Sequence, residues 1–118
     1  MDLARTRLGG LLVRTILSAF PSAMPAERIL ETEYLLAFNH PDPSHAVHVL
    51  IVPKAPFSSI NELVKVRPEL LGDVYRAALD LAQDLDLVDK GFRVIVNAGK
   101  YQDVKTVHFH LVSGDAVE

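Results

Sequence analysis

The stretch from Thr106 to Val112 alternates between apolar side chains and side chains that carry polar chemistry. In an extended strand, successive side chains point to opposite faces, so this pattern predicts a strand with one face in a core. His108 and His110 would then lie side by side on the other face. Two adjacent imidazoles can bind a phosphate or a metal, or supply a nucleophile and a proton donor near neutral pH. The sequence therefore predicts a sheet with a chemically active surface.

Size and composition limit what can be built around that strand. A chain of 118 residues can form one core, so residues 1–118 are predicted to be a single domain. Hydrophobic residues make up 49% of the sequence, which is enough for a packed globular domain. The net charge of −3 argues against a nucleic acid as the main partner. Because cysteine is absent, disulfides and thiolate metal sites are excluded.

The beginning of the chain is predicted to be a helix that packs on a sheet or on a partner subunit. Apolar residues recur at helical spacing within residues 4–20, and Pro21 follows, so the segment 1–20 is expected to hold an N-terminal amphipathic helix. Arg14 interrupts its apolar run too early for a signal core, and no run is long enough to cross a bilayer. We therefore expect a cytoplasmic protein without a membrane partner.

Five runs, including the one that holds His108 and His110, are rich in strand formers and are bounded by turn-forming residues. The predicted strands are Arg28–Thr32, Tyr34–Asn39, Ala46–Val52, Phe92–Asn97 and Val104–Val112, of which the first two form a hairpin. Both faces of the third run are apolar apart from His48, so we expect this strand near the centre of the sheet.

Helical signals lie between the third and fourth strands. The segment 59–62 fits a capping box that opens a short helical turn. After Pro68, one apolar stripe runs at helical spacing through about residue 86, with Lys90-Gly91 as a stop. That stripe consists of Leu71, Val74, Ala78, Leu81 and Leu85, and residues 98–103 and 115–118 are expected to be a loop and a short tail. The chain is therefore predicted to be α+β, a mostly antiparallel sheet of about five strands with the N-terminal helix and one long helix packed on it.

All five histidines fall in two places, positions 40, 45 and 48 and positions 108 and 110. This distribution is expected when two strands meet at one site. His45 stands three residues before His48, so strict alternation places it on the opposite side of the strand, as a solvated side chain.

Several motifs of this chain resemble those of the histidine-triad (HIT) nucleotide-binding family. The last strand is similar to the family's H-x-H-x-H strand, which two apolar residues follow, and Gln102 precedes it as a glutamine does in the family. The other similar segments are Tyr34–Phe38, the H-x-x-x-x-P-K stretch His48–Lys54, and Phe92–Gly99, which ends in a phosphate-contacting Asn and Gly in the family. The resemblance runs from about residue 12 to residue 114 and implies a HIT-like fold.

The resemblance also implies a hydrolase or nucleotidyltransferase that acts on nucleoside 5′-phosphoryl compounds such as phosphoramidates, commonly of purines. His108 would attack phosphorus and form a covalent nucleotidyl intermediate, which water resolves. His110 would contact the phosphate and the leaving group, and His48 would support them from the other strand. The family further implies a homodimer, with two sheets joined edge to edge, and neither a metal nor another cofactor.

The chain departs from the family pattern among the residues that would bind the nucleotide. These residues are Phe38, His40, Pro41, Asn97, Gln102, Asp103 and Thr106, of which Asn97 and Gln102 would help to hold the phosphate. Thr106 takes the place of the first triad histidine, and a hydroxyl cannot titrate near neutral pH. His40 replaces the acid that grips the ribose hydroxyls, and Asp103 replaces a hydroxyl residue beside the phosphate.

Three functions therefore compete at this stage. The first is a divergent hydrolase or transferase built around His108. The second is a degenerate module that binds a ligand or a protein without turnover. The third is a metal site, because neutral imidazoles and a carboxylate suit Zn²⁺. The ligands of that site would be His40, His48, His108 and His110, with Asp103 as a further candidate.

Overall fold

The computed structural model describes residues 28–117, which form a five-stranded antiparallel sheet and two helices. The strands are β1 (Arg28–Glu31), β2 (Leu35–Asn39), β3 (His45–Pro53), β4 (Arg93–Val96) and β5 (Phe109–Ala116), in the spatial order β1-β2-β3-β5-β4. Helices α1 (Ile60–Val66) and α2 (Leu70–Asp84) lie between β3 and β4, and a 3₁₀ turn (Gly99–Tyr101) precedes β5. The predicted α+β class, antiparallel sheet and first hairpin are confirmed, whereas the predicted helix over 4–20 lies outside the described residues.

Strand β3 lies in the middle of the sheet because both of its faces can be buried. Val49 and Ile51 face one apolar cluster, and Leu50 and Val52 face another. Strand β2 pairs with β3 on one side and β5 pairs with it on the other, both antiparallel. The prediction of a central strand is confirmed.

The two faces of the sheet are covered differently. The helix face packs against α1 and α2 in a cluster of fourteen buried residues that includes Phe109 and Leu111. The opposite face holds a cluster of four buried residues, Leu36, Phe38, Leu50 and Val52. Because burying one such side chain contributes about 1.5–3 kcal/mol, the helix face supplies most of the apolar stabilisation in the described part of the chain. No helix between residues 28 and 117 is long and apolar enough to span a membrane.

Strand β5 begins and ends later than the prediction of Val104–Val112. The backbone N–H of Val107 donates to the Phe57 carbonyl at 2.8 Å, so the segment before β5 is tied to the loop before α1 instead of to a strand. Beyond Val112, the chain continues as a strand through Gly114, whose φ of +82° is readily available to glycine. A Cβ at Gly114 would lie 2.8 Å from the Cβ of Ala46, where β5 bulges by one residue against β3.

The helices also differ in detail from the prediction. Helix α2 ends at Asp84, because Asp86 adopts a positive φ of 60°, so the chain leaves the helix before Lys90-Gly91. Leu85 lies beyond the helix and is 39% exposed, so it is not part of the buried stripe. The buried residues of α2 are Leu70, Val74, Ala77, Ala78, Leu81 and Ala82. At α1, the Ser59 hydroxyl accepts the backbone N–H of Glu62, as the capping box predicts.

Candidate active site

Four imidazoles meet on the sheet face that lies opposite the helices. His48 extends from β3 and His110 from β5, and their ring centroids lie 5.0 Å apart. His108, directly before β5, meets His110 edge-on at 5.0 Å. His40, which follows β2, stacks on His48 at 4.3 Å and lies 6.2 Å from His110. The structure thus brings together the two histidine groups that the sequence separates by some sixty residues.

The pairing of β3 with β5 explains this convergence. Leu50 lies opposite His110, and His48 lies opposite Val112. Since side chains two positions apart share a face, His48 and His110 occupy diagonal positions on the same surface. Their Nε2 and Nδ1 atoms lie 2.8 Å apart, within hydrogen-bond distance. Val107, Phe109 and Leu111 point into the helix-face cluster, as the alternation predicts.

The paired imidazoles are neutral at physiological pH. Burial, followed by the neighbouring imidazoles His40 and His45, lowers the pKa of His48 from 6.5 to about 4. Burial also lowers the pKa of His110 to about 4, with further lowering by His108 and His48 and an opposing effect of Asp103. A protonated ring would have to be desolvated beside other imidazoles, which is unfavourable. The pKa of His40 is likewise lowered, mainly by burial.

The ring of His108 is oriented by the backbone. Its Nδ1 donates to the carbonyl oxygen of Thr106 at 2.8 Å, and only 4% of the residue is exposed. Because a carbonyl oxygen can only accept, Nδ1 carries the hydrogen, and in the neutral ring Nε2 carries the lone pair. Any residue at position 106 would supply this carbonyl, so the contact does not depend on a histidine side chain there.

His110 has a buried nitrogen with an unmet hydrogen-bonding need. Its Nε2 has no hydrogen-bond partner among the residues that the structure describes. An unsatisfied buried polar atom costs about 1–3 kcal/mol, and such atoms are uncommon in folded proteins. The ring that carries this nitrogen meets the ring of His108 at a centroid distance of 5.0 Å, and a ligand atom bound there would satisfy the nitrogen.

The predicted phosphate-binding residues have different surroundings. Asn97 directly follows β4, in which Ile95 pairs with His110, so the half-buried Asn97 comes level with His108. Gln102 is buried, and its Nε2 donates to the carbonyls of Ser58 at 2.7 Å and Val104 at 3.0 Å. Both amide hydrogens of Gln102 therefore hold the loop, which leaves no amide hydrogen for the predicted phosphate contact in this structure.

The other predicted nucleotide-binding residues surround the imidazoles. Phe38 is buried beside them on the same sheet face, and Pro41 follows His40 in a half-buried position. The exposed Asp103 accepts the backbone N–H of Val104 at 2.9 Å, and its charge raises the pKa of His40 and His110. Asp103 thus lies close enough to act on the imidazole site, as its place in the sequence indicates.

Sequence reasoning did not identify Ser44 as part of the site. Its backbone N–H lies 3.0 Å from Nδ1 of His48, and its hydroxyl lies 3.3 Å from the same atom. The hydroxyl also contacts Nδ1 of His45 at 2.8 Å. Strict alternation predicts His45 on the opposite side, and the register between β3 and β5 shifts beside it, where two steps from His45 to Val47 face three steps from Ala116 to Ser113. Gly114 is the available sequence signal, since a glycine within a strand often marks a bulge.

The geometry does not favour the predicted metal alternative. Within residues 28–117, no three His, Asp or Glu side chains are arranged to hold a metal ion. Two of the proposed ligand atoms, Nε2 of His48 and Nδ1 of His110, are instead directed at each other at 2.8 Å. The arrangement suits hydrogen-bonded neutral imidazoles.

Comparison with known proteins agrees with the fold and identifies the family. Residues 22–117 match the family described as HIT domain. The chain belongs to the HIT family. One HIT relative, an uncharacterized HIT-like protein from Helicobacter pylori (strain ATCC 700392 / 26695), is 34% identical over 94 residues, which cover 78% of this chain and 88% of the relative.

Two further HIT relatives have names or structures that bear on activity. The purine nucleoside phosphoramidase of Escherichia coli (strain K12) is 25% identical over 93 residues, which cover 77% of this chain and 78% of the enzyme. The solved structure of a HIT family hydrolase from Clostridium thermocellum is 31% identical, with a TM-score of 0.75 over 87% of this chain and 90% of that one. Enzymes are therefore among the relatives of this HIT protein.

Proposed function

We propose that this HIT-family protein is a hydrolase or nucleotidyltransferase that acts on nucleoside 5′-phosphoryl compounds through a covalent nucleotidyl-His108 intermediate. One observation carries the proposal: the Thr106 carbonyl directs the lone pair of His108 to Nε2, on a ring that meets the ring of His110, whose own Nε2 is buried without a partner among residues 28–117. A nucleophile and a second imidazole nitrogen are what a two-step phosphoryl transfer requires. The relationship to a purine nucleoside phosphoramidase supports phosphoramidates of purines as the first substrates to test.

In the first step, Nε2 of His108 forms a bond to phosphorus while the bond from phosphorus to the leaving group breaks, and the leaving group departs with that electron pair and a proton from solvent. His110 contacts the phosphate and the leaving group, and His48 holds the ring of His110 through their 2.8 Å contact. In the second step, a water oxygen forms a bond to phosphorus and the water gives a proton to solvent, while the electron pair of the breaking bond returns to Nε2 of His108 and the nucleoside monophosphate leaves. Both steps need neutral imidazoles, which is the state that burial favours for His48 and His110.

The three departures from the family pattern affect binding more than the nucleophile. Thr106 contributes its carbonyl, which the substitution leaves in place. Asp103 places a negative charge near the imidazoles, and two like charges ~4 Å apart repel by about 1 kcal/mol in water and about 4 kcal/mol at an effective dielectric of 20. We therefore propose that the chain turns over its substrate but binds the phosphate weakly. Because Thr106 cannot titrate in the place of the first triad histidine, a binding module without turnover is the second candidate.

A turnover assay tests the proposal. The full chain is incubated at pH 7 with phosphoramidates of adenosine, guanosine, cytidine and uridine, and release of the nucleoside monophosphate is measured. We expect release from the purine compounds and its loss in His108→Ala. His45→Ala is the matched control, because it removes an imidazole that lies outside the group of four and contacts the Ser44 hydroxyl at 2.8 Å. Binding of nucleotides without turnover of any compound would favour the binding module.

We also propose that the protein is a homodimer whose sheets join at β4. In the sheet formed by residues 28–117, β4 is an edge strand with β5 as its neighbour. An edge strand presents backbone groups that can pair with a second chain. On α2, Tyr75 and Leu79 are 49% and 56% exposed, one helical turn apart. Light scattering of the purified protein should give twice the chain mass of 13.0 kDa, and a monomer at micromolar concentration would contradict the proposal.

A further inference from the structure

We propose that Ser44 is a positioning residue whose backbone N–H fixes the tautomers of His48 and His110, so that His110 presents an N–H group at its unpartnered nitrogen. The tautomers follow from the geometry of the hydrogen bonds, and only their effect on catalysis rests on the proposed function. Nothing in the motif pattern points to Ser44, which lies in the turn before β3.

The first step concerns the ring of His48. The backbone N–H of Ser44 donates to Nδ1 of His48 at 3.0 Å. Because a peptide N–H can only donate, Nδ1 must carry a lone pair. The ring is 7% exposed and its pKa is lowered by burial, so it is neutral at pH 7. A neutral imidazole with a lone pair on Nδ1 carries its hydrogen on Nε2.

The tautomer of His48 in turn determines the tautomer of His110. Nε2–H of His48 donates to Nδ1 of His110 across 2.8 Å, so Nδ1 of His110 is an acceptor. Neutral His110 then carries its hydrogen on Nε2, which is the buried atom without a partner among residues 28–117. A buried N–H without an acceptor is satisfied by an oxygen or nitrogen atom of a bound ligand.

The third step is the contrast with His108. The Thr106 carbonyl accepts from Nδ1 of His108, which gives that ring the opposite tautomer. Two rings whose centroids lie 5.0 Å apart therefore offer a lone pair on one Nε2 and a hydrogen on the other. During attack, His108 supplies the electron pair, and the His110 N–H donates to a phosphate oxygen or to the leaving group. With the other tautomer, His110 would direct a lone pair at those electron-rich atoms.

The peptide group of Ser44 is held in place from both sides. Its carbonyl accepts the backbone N–H of Val117 at 2.8 Å, beyond the end of β5. Next to Ser44, His45 pairs with Ala116 of β5, so the strand that starts there fixes the chain where the Ser44 N–H meets the His48 ring. The hydroxyl is the weaker contact, since it lies 3.3 Å from His48 and has one hydrogen to share with His45. We therefore assign the effect to the backbone N–H and a minor part to the hydroxyl.

Nitrogen-15 NMR of the full chain tests the assignment without any substrate. At pH 7, we expect the Nε2–H tautomer for His48 and His110 and the Nδ1–H tautomer for His108. Ser44→Ala keeps the peptide N–H and should keep all three tautomers, whereas Ser44→Pro removes it and should yield mixed tautomers at His48 and His110. Asp42→Pro is the matched control, because the Asp42 N–H donates to Nδ1 of His40 at 2.9 Å. It should leave His48 and His110 unchanged.

A second pair of variants covers the case in which Ser44→Pro does not fold. His48→Gln retains an amide N–H that can donate to Nδ1 of His110, and His48→Leu does not. We expect the Nε2–H tautomer of His110 to persist in the first variant and to be lost in the second. Protonated His110 in the wild type, its Nδ1–H tautomer, or equal tautomer mixtures in both His48 variants would overturn the proposal. The neighbouring groups whose charges change the pKa of His48 or His110 are His40, His45, His108 and Asp103.

Kinetics connect the tautomers to catalysis. The His110 N–H donates to atoms whose charge changes in the transition state. Ser44→Pro should therefore lower kcat by about tenfold or more and change KM by less than about threefold. Ser44→Ala should stay within about threefold of the wild type in both constants. If a folded Ser44→Pro variant had altered tautomers and an unchanged kcat, the tautomers would have no effect on catalysis. Absence of turnover in a wild type that shows the expected tautomers would count against the proposed function and leave the assignment intact.

Discussion

The two faces of the sheet follow the same alternation but differ in what they can tolerate. On the helix face, Phe109 and Leu111 are completely buried among apolar neighbours, where shape and volume determine stability. On the imidazole face, the alternating residues His108 and His110 lie against each other. Nε2 of His110 is buried without a hydrogen-bond partner among residues 28–117. Such a polar cluster costs stability, so we propose that one face maintains the fold and the other carries the chemistry.

Neighbouring residues on opposite faces give the sharpest test of this division. We expect His108→Ala to reduce turnover by roughly 10³-fold or more, because it removes the nucleophile, while the free energy of unfolding changes by about 1 kcal/mol or less. Phosphoramidate turnover and urea unfolding of the same sample measure the two effects. Residual activity above about a tenth of the wild type would show that His108 is not the nucleophile.

The next residue should behave in the opposite way. Phe109→Ala leaves a cavity in the helix-face cluster and should lower the free energy of unfolding by about 3–5 kcal/mol. Urea denaturation measures this loss, and kcat per folded molecule should fall much less than in His108→Ala. A loss of less than about 1 kcal/mol would mean that the helix face does not maintain the fold as described.

The features that could be predicted from the sequence are those that depend on the alternation of side chains along a strand. Strand β3 and the convergence of His48 with His110 follow from periodicity and from the pairing of two histidine-bearing strands. The start of β5 could not be predicted, because the bond from Val107 to Phe57 replaces strand pairing there. The positions of Ser44 and His45 depend on a bulge, and the bonds of Gln102 depend on a distant backbone carbonyl.

Acid should affect the imidazole face before the helix face. The pKa values of His48 and His110 are about 4 in the folded protein, below the ordinary value of 6.5, so the unfolded chain binds more protons between these values. Their contribution to stability is therefore complete above about pH 6.5 and is lost as the pH falls towards 4. We expect a loss of about 1–2 kcal/mol, after allowance for solvent screening. Urea unfolding at pH 7 and pH 4.5 should show a smaller loss in His48→Gln, and an equal loss in both proteins would contradict the lowered pKa values.

The smallest expected effect concerns the charge at the edge of the imidazole face. Asp103→Asn removes a carboxylate that raises the pKa of His40 and His110 and that would repel a bound phosphate. Since the side chain is exposed, we expect about 1 kcal/mol, or a fall in KM of about fivefold, with kcat nearly unchanged. The dependence of KM on salt should weaken in the variant. A higher KM would mean that Asp103 assists binding.

Mass spectrometry of the protein mixed with substrate is the most direct test of the proposed covalent intermediate. The full chain is mixed with adenosine phosphoramidate, quenched within the first turnover, digested and mapped for covalent adducts. We expect one nucleotidyl group on His108. The adduct should be absent from His108→Ala and should remain on His108 in His45→Ala. An adduct on His110 or His48, or steady turnover with no adduct on any histidine, would contradict it.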